Sequence, residues 1–367
     1  MMDGKDTELG ILIQVTPPDK FTQFYYRLAI FQSKNNLWMD NPEVARSDPS
    51  GTVKMGRQVA FILHGRTRGQ THLRHEIRRV FEPDYRIHFF ATAFAGHGQQ
   101  LAREAIQAGL LCLVAIGGDG TVNDVVNGML DAVASIQAVS LDHLRLGILG
   151  RGSGNDFIRN MAGARSIREL YEDIRQDRNI WVDLGELDFA GIESERAKRL
   201  FINIADIGLG GVVAHRITRI PRWVPPLLKY QFSIIHTLLQ YRHQRIRISG
   251  PQHHREGTIL ALILANGKFF GKGLGIAPHA HLQDKLLAVV WIGNVTIREY
   301  LRYLPRIRRC LPIEHPELEY FNTNNLSIDH LDRPLPIDMD GEFVGYTPAR
   351  LSVHPHSLRV YGTLLEG

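Results

Sequence analysis

LVAIGGDGTVNDVVNGML, Leu113–Leu130, decides how this chain is read. An apolar run stops at Gly117-Gly118. Asp119, Gly120 and Thr121 follow, and a new apolar pattern with helical spacing begins. The first run suits a buried parallel strand and the second an amphipathic helix. The glycines let a bulky ligand come close to the backbone. Thr121 stands where an N-cap belongs, with Asp124 as its capping-box partner, and first-turn N–H groups at a strand end make a seat for phosphate. A bare Asp119 there would repel phosphate by about 4 kcal/mol per pair of unit charges at close range. The carboxylate makes sense beside a divalent cation, because Mg2+ is held by one or two carboxylates together with waters and phosphates. Taken alone, G-G-D-G reads equally well as a tight turn. It is neither a P-loop nor a Rossmann fingerprint.

Working outward, the same alternation repeats. Strands are expected at 58–63, 85–92, 111–116 and 144–149, and helices at 70–80, 96–109 and 121–136. That order implies a parallel sheet covered on both faces, with ligands beyond the carboxyl ends of its strands. LGILGRGSGNDFIRN (Leu146–Asn160) repeats the logic of the first turn, and two such turns at neighbouring strand ends could hold a nucleotide between them. Helix capping by Ser153 and Asp156 is the plainer reading and is compatible with phosphate contact. After Trp181 short β-like runs separated by turn residues indicate an antiparallel β domain. The fold class is therefore an α/β domain with a parallel sheet, followed by an antiparallel β-rich, sandwich-like domain. Residues 1–52 are an N-terminal extension of unknown role. Residues 53–183 form the α/β domain, 184–345 the β-rich domain, and 346–367 a C-terminal segment for which a return to the first domain is one reading.

The chain has 367 residues, 44% of them hydrophobic, enough for two cores, and its formal charge is +5. This mild excess of base suits a membrane surface, a phosphorylated substrate or nucleic acid without choosing among them. Two cysteines, Cys112 and Cys310, make no disulfide framework, so a reducing, cytoplasmic setting is expected. The N-terminus lacks the features of a signal peptide, and no apolar run reaches the length of a membrane span. The H-x-H pairs at His279/His281 and His354/His356 lack a third ligand at a usable spacing and read as ordinary histidines.

GGDGTVNDVVNG followed by LGILGRGSGNDFIRN resembles the diacylglycerol kinase catalytic-domain family, which includes bacterial lipid kinases and is related to sphingosine and ceramide kinases. The first motif is shared with NAD kinases and phosphofructokinases; the pair is far more specific. Thr92 with Gly96-His97, Asp183-Leu184-Gly185, Phe201–Gly211, Ala265–Leu287 and Asp340-Gly341-Glu342 continue the match over roughly residues 57–361. Three departures stand out. His64-Gly65 replaces the family's Asn-Pro, Ser153 replaces a threonine, and Lys285 replaces a glycine after Asp284.

The resemblance implies ATP and Mg2+, with the nucleotide in the interdomain cleft. Its contacts would be Gly65, Thr67, Thr92, Gly117, Gly118, Asp119, Gly120, Thr121, Asn123, Gly152, Ser153, Gly154, Asn155 and Asp156. It implies metal binding at Asp119 and a structural ion at Asp284. It also makes Asp340 the general base and Glu342 its helper, where Asp-Gly alone would read as a hairpin turn. The expected partner is a lipid alcohol, reached by peripheral contact with a membrane. RIPRWVPPLLKYQFSIIHTLLQYRHQRIRIS (Arg219–Ser249) mixes apolar residues at helical spacing with clustered base, and YLRYLPRIRR (Tyr300–Arg309) adds more. A helix packed on the β domain is the competing reading. The alternatives to a lipid kinase are an NAD kinase-like enzyme and an inactive nucleotide- or lipid-binding protein. Nucleic acid is not expected, because no reader motif is present. The oligomeric state stays open, a homodimer included.

Overall fold

The computed structural model describes residues 57–136, 139–152, 154–162, 166–192, 195–217, 232–233, 236–237 and 240–365. The N-terminal extension, Ser153 and most of the helix expected at about 225–241 lie outside them. Strands β1 (Gln58–Leu63), β2 (Arg86–Ala91), β3 (Cys112–Gly117) and β4 (Arg145–Gly150) form a parallel sheet in the order β2-β1-β3-β4. Helices α1 (Gln70–Phe81), α2 (His97–Gln107), α3 (Asp119–Ser135) and α4 (Ile167–Arg175) cover it.

Alternation within each strand sorts the two faces. Ala60, Ile62 and Ala115 pack with Leu101, Ile106, Val122 and Val126 of α2 and α3. Val59, Phe61, Leu63 and Val114 pack with Leu73, Ile77, Leu170 and Ile174 of α1 and α4. Because both faces are buried, these strands read as unbroken apolar runs.

The second half is antiparallel. The strand Asn179–Gly191 runs beside the 20-residue strand Glu342–Tyr361, pairing from Gly191↔Gly345 to Asn179↔Tyr361. The far end of that long strand lies parallel to β4, with Arg359 opposite Arg145. Its near end pairs with Pro336–Met339, and the sheet continues through Ile204–Gly208, Ala261–Ala265, Leu287–Ile292 and Leu318–Thr323. One sheet thus runs through both halves, and Asp183, read as a domain boundary, sits inside a strand. Phe201, Leu262, Trp291, Ile337 and Leu351 form the second core.

Helices Leu209–Ile217 and Ile297–Arg308 and the strand Leu318–Thr323 were not expected. The second of these helices carries Pro305 and dense arginine, which hides its period, but its start has a readable signal. Thr296 and Glu299 form a capping box.

Candidate active site

The carboxyl ends of β1 to β4 open on one polar cleft of about 1040 Å3. Gly65, Thr67, Thr92, Gly117, Gly118, Gly120, Thr121 and Gly152 line it, together with Asp124 and Glu342. The N-terminal caps of α1, α2 and α3 are Gly69, Gly96 and Gly118, so three helix ends gather near this cleft. Their unsatisfied N–H groups favour an anion. Gly65 donates its N–H to Thr92 Oγ1 at 2.9 Å. A Cβ on Gly65 would lie 1.9 Å from the Thr92 carbonyl oxygen, so the close approach of β1 and β2 requires glycine where the family has Asn-Pro. Arg66, Arg68 and Arg151 also line the cleft. None of the three stands out in the sequence, although Arg151 lies within the second glycine-rich turn and Arg66 and Arg68 follow directly on His64-Gly65.

Helix α3 begins at Asp119, with Gly118 as its cap and no side-chain capping bond. Thr121 is therefore inside the first turn, and the expected capping box with Asp124 is absent. Asp124 instead lies against the start of α2, beside Gly98. Burial, with Glu342 nearby, pushes its carboxyl up to about 6.

The two glycine-rich turns touch through their main chains, and both line the polar cleft. Arg151 and Gly152 donate N–H bonds to the Gly117 carbonyl at 2.7 and 3.1 Å. A Cβ on Gly152 would stand 2.3 Å from Gly118 Cα. Main chain thus meets main chain, and the polar cleft lies beside the pair. Asn155, at φ +53°, accepts the Gly152 N–H at 2.9 Å and closes its own turn.

Asn123, expected at the nucleotide, faces the seam between the halves. It is fully buried, and its Nδ2 donates to the Leu200 carbonyl at 3.0 Å and to Asp340 Oδ2 at 2.7 Å. Its Oδ1 accepts from Arg199 and Asn127. Asn123 and Asn127 share one helix face, and that face is pressed against the strand Arg196–Phe201, which removes both amides from the cleft. Asp156 is likewise a clamp. It accepts N–H bonds from Lys272 and Gly273 at 2.8 and 2.7 Å and makes no capping bond.

A second cavity, about 330 Å3, is lined by Asp119, Asp156, Asp206, Asp338 and Asp340, with Gly118, Gly120 and Gly154. Asp119 accepts the Phe157 N–H at 3.1 Å, and its charge adds to the burial that raises Asp156. Asp340 Oδ1 accepts N–H bonds from Asn203 and Ile204, and Oδ2 from Ile202 and Asn123. Four donors saturate a carboxylate. Asp338 and Asp206 sit opposite each other on paired strands. Burial, then mutual repulsion, pushes Asp206 to about 8. Burial pushes Asp338 to about 7, with Asp340 and Glu342 adding to it. Among the described residues, Asp206 Oδ1 is buried without a hydrogen-bond partner. Glu342 lines the polar cleft and pairs with Arg199 at 2.8 Å.

Beyond Asp206 lies a third, apolar cavity of about 100 Å3. Leu209, Ile263, Leu274, Tyr303 and Ile313 are among its walls, and Asp206 and Phe270 line both this cavity and the acidic one.

Asp284 is separate from this arrangement. Its Oδ1 accepts the Leu286 N–H at 3.0 Å, while Asp183 takes the Lys285 N–H at 2.7 Å. Lys285, at φ +65°, turns its amide inward. Among the described residues no three His, Cys, Asp or Glu side chains gather closely enough to hold a metal by themselves. A structural ion at Asp284 therefore has no protein ligand set of that kind. Among the described side chains, His281 accepts the Gln283 N–H and His354 faces Glu186.

Residues 58–187 match the diacylglycerol kinase catalytic domain, and residues 203–362 match the YegS C-terminal NAD kinase beta sandwich-like domain. A relative from Chromohalobacter salexigens, named "Probable lipid kinase YegS-like", is 30% identical over 305 residues, covering 81% of this chain and 91% of its own length. A Staphylococcus carnosus diacylglycerol kinase is 24% identical, covering 83% of this chain and 95% of its own. A crystal structure of a diacylglycerol kinase from Bacillus anthracis superposes with a TM-score of 0.59 at 16% identity, covering 84% of this chain and 97% of that one, and shares the fold. Two matching domains in one order, a relative matched along nearly its whole length and this arrangement of parallel and antiparallel halves all lead to one conclusion: the chain belongs to the YegS-like and diacylglycerol kinase family of lipid kinases.

Proposed function

We propose that this protein transfers the γ-phosphoryl group of ATP, with Mg2+, to the hydroxyl of a lipid alcohol of the diacylglycerol type at a membrane surface. One observation carries the reading. The polar cleft, the acidic cavity and the apolar cavity adjoin in that order, sharing Gly118 and Gly120 at the first join and Asp206 and Phe270 at the second. A charged donor, a transfer point and an apolar acceptor need that sequence of environments.

In this reading the helix ends and Arg66, Arg68 and Arg151 bind the polyphosphate. Aspartates lining the acidic cavity offer hard carboxylate oxygens that fit Mg2+; Asp119 would be its protein ligand, with the remaining positions left to water and phosphate. When bound, the ion neutralises charge on the transferring group. Asp340 was expected to take the hydroxyl proton, but its saturated oxygens make it the anchor that joins α3 to the second half. Asp338, two residues earlier, accepts one hydrogen bond among the described residues, from the Gly341 N–H at 3.0 Å. Its carboxyl lies near 7, which suits a general base, so we assign the proton to it. Asp206 stands where the acceptor hydroxyl would emerge from the apolar cavity.

The test is a panel of lipid alcohols with labelled ATP, read by which product carries phosphate, with Asp338→Asn alongside. Transfer to a lipid in the wild type and its collapse in the variant, with ATP binding retained, are expected. If no lipid alcohol is labelled while other phosphate acceptors are, the reading fails.

A further inference from the structure

We propose that helix Ile297–Arg308 and the turn after it form the face that docks onto an anionic bilayer. The proposal rests on the lipid-kinase reading only for its direction: the docking face belongs where a lipid would enter.

The segment Ile297–Leu311 holds five arginines and a single acid, Glu299. That acid is engaged, accepting from Thr296 and lying 3.2 Å from His315 Nε2, which together hold its carboxyl down at about 2. Arg298, Arg302, Arg308 and Arg309 are exposed, and among the described residues none of them is ion-paired. Helical spacing puts Arg298, Leu301, Arg302 and Pro305 on the outward side. Leu301 is 48% exposed, and Leu311 in the following turn is 41% exposed. Unpaired arginines interleaved with protruding leucines complement anionic headgroups above an acyl layer. A solvated helix has no use for the leucines.

The opposite side of the same helix gives the orientation. Tyr300, Tyr303 and Ile307 roof the apolar cavity whose other wall is Asp206. A bilayer against the arginine face would lie one helix thickness from that cavity.

The experiment uses the full chain and phosphatidylcholine vesicles with and without phosphatidylglycerol, read by co-sedimentation. Each basic residue near such a surface contributes roughly fivefold to partitioning. R298E/R302E/R309E is expected to weaken binding to the anionic vesicles by more than about 100-fold. R79E/R103E/R168E, which makes the same charge change on exposed arginines of α1, α2 and α4, should weaken it far less. Leu301→Ser with Leu311→Ser should weaken it at unchanged charge. Phosphorylation of a short-chain lipid alcohol in neutral detergent should survive the first triple substitution. Equal losses in the two triple variants, or a wild type indifferent to phosphatidylglycerol, would overturn the proposal. A chain that binds vesicles through this helix yet phosphorylates no lipid would leave the docking face standing and remove the substrate reading.

Discussion

Replacing Asn123 by alanine separates two accounts of the most buried polar residue in the opening motif. A nucleotide ligand would lose affinity for ATP and little else. The structure instead makes Asn123 a bracket between α3 and the second half. Four hydrogen bonds go: to the Leu200 carbonyl, to Asp340, from Arg199 and from Asn127. Two involve charged partners, worth about 1.5–3 kcal/mol each, and two are neutral, worth about 1 kcal/mol each. No partner is stranded, because Leu200 keeps Asn127, Arg199 keeps Glu342 and Asp340 keeps three backbone donors. The cost should therefore fall below the roughly 5–8 kcal/mol to which these add, at about 3 kcal/mol. Urea unfolding measures it, and calorimetry on the still-folded variant measures ATP affinity. The expected result is a midpoint well below wild type, ATP affinity within about threefold, and slowed phosphoryl transfer because Asp340 loses one of its holders. Unchanged unfolding with a large loss of ATP affinity would refute the bracket and return Asn123 to the cleft.

Three further outcomes follow from the geometry. Gly152→Ala drives a Cβ to 2.3 Å from Gly118 Cα, a backbone atom that cannot rotate away, so stability should drop by about 1–3 kcal/mol and ATP affinity with it, by thermal melts and calorimetry. Asp156→Ala removes the acceptor of the Lys272 and Gly273 N–H bonds, so amide exchange should quicken selectively in the loop around Phe270–Gly273. Asp206 and Asp338 are both pushed up by burial, to about 8 and about 7, so the folded chain holds their protons more tightly than the unfolded one. Their contribution is complete below about pH 4 and fades as pH rises through 7 and 8; the nucleotide-free protein should melt several degrees lower at pH 8 than at pH 5, with a shallower fall in Asp338→Asn.

Much of the first half was legible. β1, β3 and β4 are short apolar runs with a glycine at or just beyond their ends, and each signal lies within a few residues of the element it defines. The cleft was legible in outline for the same reason: glycines and small polar residues at strand ends mark where backbone can meet a ligand. Arg66, Arg68 and Arg151 escaped notice because an arginine in a turn usually means only solvent. The helix Ile297–Arg308 was missed despite its T-x-x-E start, because Pro305 and four arginines mask its inner face.

What the amino-acid order determined unaided was the local grammar: which segments are strands, where the main chain must be bare, and the paired motifs that place the chain in its family. What the tertiary structure alone decided was the facing of polar groups across the two halves. Asn123 turns to Leu200, Asp156 to Lys272, and Asp338 to Asp206. Those pairings join residues far apart in the chain, and they depend on one sheet running through both halves. A carboxylate's proton affinity depends on burial and on its neighbours in space. The partner that turns an aspartate into an anchor or a base can therefore be seen only after folding.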